Sequence, residues 1–181
     1  MHGLSHPLLY ATGFTLVGVI GGACDLRTRR VPNCLTFPSI VLGIALHGTL
    51  DGWHGAANAL IACGLILLIM FPVALRRGMG MGDIKLLLAT SAFAGTQKFL
   101  MVLAASILIA GILAIAVSIR KHYLKTAIRN AFVLLRHAAE QPLTPHPELN
   151  IDNPTAHHLP FGVAVALGCI LTVVLTIRGQ A

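Results

Sequence analysis

Long apolar stretches separated by short polar breaks dominate the chain. Runs from Pro7 to Ala23, Leu35 to Leu50, Ala56 to Leu75, Phe99 to Ile119 and Leu159 to Ile177 stand out. Each is close to the length of about 20 residues that a helix needs to cross the hydrocarbon core of a bilayer. A sixth run, Ile84 to Ala94, is short for a crossing. It predicts either a span whose flanks lie below the headgroups or a re-entrant helix. The pattern therefore predicts an all-α, polytopic membrane protein of about six transmembrane helices. Residues 1–181 read as a single domain, without internal repeats or Pro/Ser-rich linkers.

The pattern changes over residues 120–140. At 100° per residue, Lys121, Lys125, Arg129 and Arg136 fall within about 80° of one another. Tyr123, Leu124, Ala127, Ile128, Ala131, Leu134 and Leu135 cover the other side, with Phe132 and Val133 blurring the boundary. This predicts a basic amphipathic helix lying on the cytoplasmic leaflet, against membrane lipids. A docking surface for a partner is the alternative. Residues 141–158, rich in Pro, Asn and His, predict an irregular loop.

Composition agrees with a lipid-embedded chain. Hydrophobic residues make up 56% and charged residues 10%, against roughly 25% charged in an average globular protein. A soluble monomer, a disordered chain and a coiled coil are excluded on that ground. The net charge of +7 would suggest nucleic acid only if the bases formed a patch on a soluble domain. Instead they sort by loop. Threading six spans with both termini outside puts Arg27, Arg29, Arg30, Arg76, Arg77, Lys85, Arg120, Lys121, Lys125, Arg129 and Arg136 on the cytoplasmic side. That is eleven of the 13 bases, with Lys98 and Arg178 outside, as the positive-inside rule requires. The first run lacks a basic leader segment, so it reads as a retained span rather than a signal peptide. Cys24, Cys34, Cys63 and Cys169 show no metal or redox spacing.

Of the six acids, only Asp25 and Asp83 stand at the ends of apolar runs, both on the predicted cytoplasmic side. A carboxylate at membrane depth costs about 2.5–3.5 kcal/mol and usually has a task or a partner. Asp83, just before Ile84, would serve as a helix N-cap; Asp25 would pair with Arg27, Arg29 or Arg30. The surroundings add a further reading. Gly78, Gly80 and Gly82 alternate ahead of Asp83, which opposes helix and lets another backbone approach closely. Two carboxylates that share one proton could there activate a water and protonate a carbonyl oxygen.

Gly80-Met81-Gly82-Asp83 matches the Gly-x-Gly-Asp signature of intramembrane aspartyl proteases, and Ile84-Lys85 extends it. Asp25 to Asn33, an Asp followed by bases and a Pro-Asn pair, resembles the first aspartate box of the type IV prepilin leader peptidases. Leu159 to Ala164, with Gly168, is similar to the Pro-containing segment that opens that family's last span. The resemblance runs from about Gly21 to Gly168. It implies an aspartyl endopeptidase of the bacterial inner membrane that cleaves prepilin or pseudopilin leaders at the cytoplasmic face. It implies Asp25 and Asp83 as the catalytic pair and Gly80 and Gly82 as shapers of the substrate groove. Pro160, Phe161 and Gly162 would line that groove, with Asn33 and Lys85 as further candidates. Longer members carry a Cys-x-x-Cys insert and methylate the new N-terminus. This chain has no Cys-x-x-Cys and resembles the short, peptidase-only form of Flp/Tad-type pilus systems.

No metal or organic cofactor is implied. His137, His146, His157 and His158 crowd one loop, but adjacent His157 and His158 cannot share a helical face, and no Cys or acid completes a ligand set. No Gly-x-Ser-x-Gly elbow is present. The competing function is a small transporter or pilus-assembly subunit that uses Asp25 and Asp83 as an ion or proton site.

Overall fold

A computed structural model describes residues 5–141, 143–150 and 160–178. All regular structure among them is helical: α1 (Ser5–Thr28), α2 (Asn33–Leu75), α3 (Met81–Arg120), α4 (Leu124–Glu140) and α5 (Phe161–Arg178). Four of these, all but α4, are long and apolar enough to cross a membrane. Six separate apolar runs were expected in them. Four of the runs are joined in pairs, because α2 and α3 each continue through a single non-helical glycine, Gly52 and Gly95.

These glycines reverse the chain. A Cβ on Gly48 would lie 3.5 Å from Cβ of Ala56, although eight residues of straight helix span about 12 Å. The limb 33–51 therefore folds back on the limb 53–75. In α3, the limb 81–94 packs antiparallel to α1, with Gly21 against Leu86 and Gly13 against Phe93. The limb 96–120 returns along α5, where Gly168 fits against Ser106. The short run Ile84 to Ala94 is thus a helical limb of its own within the bundle, and the most buried one: Leu86, Leu87, Ala89, Thr90 and Ser91 are all at most 1% exposed.

Gly52 (φ 68°) and Gly95 (φ 63°) lie together at one end of the bundle. There Asn58 Oδ1 accepts the Thr96 N–H at 3.0 Å, and His47 Nε2 lies 3.1 Å from the Phe93 carbonyl. Tyr10 stacks on His47 and donates its hydroxyl to Asp51, whose carboxylate also faces His6. Asp51 is the last helical residue before the Gly52 turn. At the opposite end, α1, α2 and α3 terminate at left-handed residues, Arg29, Arg77 and His122. At the last two, N–H groups bond back by five residues (Gly78 to Val73, Tyr123 to Ser118) and by three, the Schellman pattern that satisfies the final carbonyls.

α4 begins at Leu124, not near residue 120, because the turn at His122 separates it from α3. Lys121 and Tyr123 therefore leave the expected faces. Lys125, Arg129 and Arg136 share one flank, Arg136 pairing with Glu140 at 2.8 Å. Ile128, Phe132 and Leu135 are exposed. Residues 142 and 151–158 of the expected loop lie outside the described residues.

Candidate active site

Asp25 sits one turn before the end of α1. The turn is closed by the Arg29 N–H on the Asp25 carbonyl at 2.8 Å and by the Thr28 hydroxyl on the Cys24 carbonyl at 2.9 Å. The Asp25 side chain is therefore held on the inner face of the bundle, where the residue is 7% exposed. Its Oδ2 accepts the Gly162 N–H at 2.9 Å.

Asp83 is not the N-cap that its position before Ile84 suggested. The helix starts at Met81 with Gly80, in extended backbone, as cap, so Asp83 is the third helical residue. Its carboxylate folds back over Gly80, where a Cβ would stand only 3.2 Å from Oδ2. A side chain at 80 would crowd that carboxylate, which is a physical reason for glycine here. Gly82 faces Val31, a buried residue of the connection between α1 and α2, at ordinary contact distance.

Both aspartates line one cavity of about 970 Å³. They lie within electrostatic reach of each other. The chain brings this cavity together from four places: Asp25 to Asn33, Gly78 to Lys85, Ala110 to Ala114, and Pro160 to Ala164. Of the candidate residues, Gly80, Gly82, Asn33, Lys85, Pro160 and Phe161 all line it. Gly162 does not. It is buried and packs against Asp25. Pro160 directly precedes α5, where its missing N–H costs nothing, so helix start and cavity wall coincide in one residue.

Lys85 and Asn33 form a pair. Lys85 Nζ donates to Asn33 Oδ1 at 3.1 Å and stands 5.5 Å from the Phe37 ring centroid. The ammonium thus ties the start of α2 to the first turn of α3 at the cavity rim. The third wall, Ala110, Gly111, Leu113 and Ala114, was not foreseen. Small apolar residues inside an apolar span carry no signal of their own. Among the histidines, His137 and His146 meet edge to ring at 5.0 Å, and His157 and His158 lie outside the described residues.

A family model of the type IV leader peptidases matches residues 12–115, more than half of the chain. The chain belongs to the type IV leader peptidase family. The matched stretch contains both aspartates and three of the four cavity walls; only the Pro160 wall falls beyond it. A prepilin leader peptidase/N-methyltransferase of Escherichia coli (strain K12) is 34% identical over 85 residues, covering 44% of this chain and 38% of that protein. The match thus spans well under half of that relative's length. No solved structure matches this one. The family, with four long apolar helices, fits a multi-pass membrane peptidase.

Proposed function

We propose that this protein is an intramembrane aspartyl endopeptidase that removes the leader from prepilin-like substrates, with Asp25 and Asp83 as its catalytic pair. The observation that carries this reading is that two carboxylates from separate helices line one cavity at one end of an apolar bundle. In the reaction, one ionised carboxylate takes a proton from water as the water oxygen attacks the scissile carbonyl carbon. The other, protonated, gives its proton to the carbonyl oxygen. Collapse of the tetrahedral intermediate breaks the C–N bond, and the departing amine takes up a proton. Gly78, Gly80 and Gly82 line the cavity beside Asp83, where an extended substrate backbone would lie.

The test is co-expression with a prepilin carrying a hydrophobic N-terminal helix. A leader-sized shift on a gel is expected. An unshifted substrate in the presence of abundant protein would reject the reading. The same product tests the peptidase-only, Flp/Tad-like form. This chain holds no Cys-x-x-Cys pair, so mass spectrometry should find an unmethylated N-terminal amine.

The orientation is part of the proposal. The Gly52 and Gly95 reversals support six crossings, with the cavity end in the cytoplasm. The ends of α1, α2 and α3 bring Arg27, Arg76, Arg77 and Arg120 to that end, with Lys85 at the cavity. In a Cys-free background, Thr28→Cys and Gly78→Cys should react with a membrane-impermeant maleimide from the cytoplasmic side. Trp53→Cys, at an exposed position of the far turn, should react only from outside. Labelling of position 53 from the cytoplasm would overturn this topology.

A further inference from the structure

Asp25 is oriented by a helix other than its own. Its Oδ2 is held at 2.9 Å by the Gly162 N–H, the second amide of α5. First-turn amides have no carbonyl partner inside their helix. Pro160 and Phe161 supply no side chain that could cap this one, and the Asp25 carboxylate does so from α1. The contact needs close approach of two backbones. A Cβ on Gly162 would stand 2.8 Å from Asp25 Cβ and 3.2 Å from its Cγ. On the facing helix, a Cβ on Gly22 would stand 2.8 Å from the Gly162 carbonyl oxygen. Glycine on both helices is what lets α5 reach the carboxylate.

We infer that Gly162 is a positioning residue, whose backbone N–H fixes the Asp25 carboxylate in its reactive orientation. This rests on the proposed aspartyl mechanism. A backbone N–H can only donate, so Oδ2 is committed as an acceptor. The other oxygen, Oδ1, is then the one available for water or for Asp83. With one oxygen pinned, rotation of the carboxylate about its Cβ–Cγ bond is blocked, and the reacting oxygen keeps one place in the cavity. Gly162 does not itself line the cavity. Its effect passes through Asp25 alone. The groove-lining role expected from the sequence is thereby replaced by a role behind the groove.

Two changes separate the amide from the packing. Replacing residue 162 with glycolic acid turns its N–H into an ester oxygen and removes the donor without adding an atom. Gly162→Ala keeps the donor but forces the helices apart. Both should reach the membrane at normal abundance. The ester variant should lower kcat about tenfold, and Gly162→Ala about 100-fold, the scale of a displacement of about 1 Å at a reacting group. KM should stay within about twofold of its original value. A second readout is independent of cleavage. In protein labelled with 15N-glycine, the Gly162 amide resonance, assigned by its loss in Gly162→Ala, should move on Asp25→Ala. An unmoved resonance would overturn the contact. Unchanged kcat in the ester variant would overturn the positioning role. A rise in KM without a fall in kcat would show a substrate-binding role instead and overturn it equally. If Asp25→Asn itself cleaves normally, the aspartyl mechanism fails first, a result read separately from the other two.

Discussion

Asp25→Asn and Asp83→Asn are each expected to abolish leader cleavage, with losses of about 10⁴-fold, while the double variant is hardly worse. Members of one chemical unit are strongly non-additive in this way, because removing either stops the same step. Asp→Glu should fail at both sites, since one methylene displaces the carboxylate by about 1 Å or more. The fold should survive. An Asn at 25 can still present its carbonyl oxygen to the Gly162 N–H, which donates to Asp25 Oδ2 at 2.9 Å. An Asn at 83 keeps the volume folded over Gly80. Asp83 is the third residue of α3, so a purely capping role there would be served nearly as well by Asn. Quantitative cleavage assays, normalised to protein in the membrane, decide the matter. Normal processing by either single variant would remove the aspartyl mechanism.

Some of this site was open to reading from residues alone, and the reason is physical. A carboxylate at the end of an apolar run is costly, so Asp25 and Asp83 were conspicuous. Their meeting in one cavity could be suspected only from resemblance. Lys85 and Asn33 are candidates through the resemblance alone, and nothing in their spacing shows that they bond to each other. Gly162 was placed on the groove, yet it faces Asp25 instead. A glycine states that something approaches closely without stating what does.

The same limit applies to the fold. The six apolar runs correspond to helical limbs, since length and apolarity are properties of a segment. Helix pairing is different. Where lipid covers the outer surface, apolar residues point both inward and outward, as the exposed Leu68 and Leu108 show beside the buried Ile66 and Val102. Periodicity then loses its power to mark the inner face. The Tyr10, His47 and Asp51 cluster at the far end was missed for a related reason. Tyr10 comes from α1 and His47 and Asp51 from the end of the limb 33–51, and nothing along the chain shows that these two segments meet.

The turns themselves should respond unequally to the same substitution. Gly52 and Gly95 share positive φ and extended ψ, 68° and −159° against 63° and −179°. That region is essentially reserved for glycine, and an alanine there costs about 1–3 kcal/mol. At Gly52 nothing lies within 4 Å of the added Cβ, so Gly52→Ala should cost that strain alone. At Gly95 the Cβ would stand 2.8 Å from Asn58 Nδ2. Asn58 would have to withdraw, and with it the Oδ1 that accepts both the Thr96 N–H and the Thr96 hydroxyl. Leaving that half-buried amide unpaired adds about 1–3 kcal/mol. Gly95→Ala should therefore destabilise the protein by about 1–3 kcal/mol more than Gly52→Ala, measured by reversible unfolding in mixed micelles. The far turn is remote from the cavity, so cleavage per folded molecule should be unchanged in both. Equal destabilisation would mean that Asn58 contributes nothing to the Gly95 turn, and the account of how α3 doubles back on itself would have to be rebuilt.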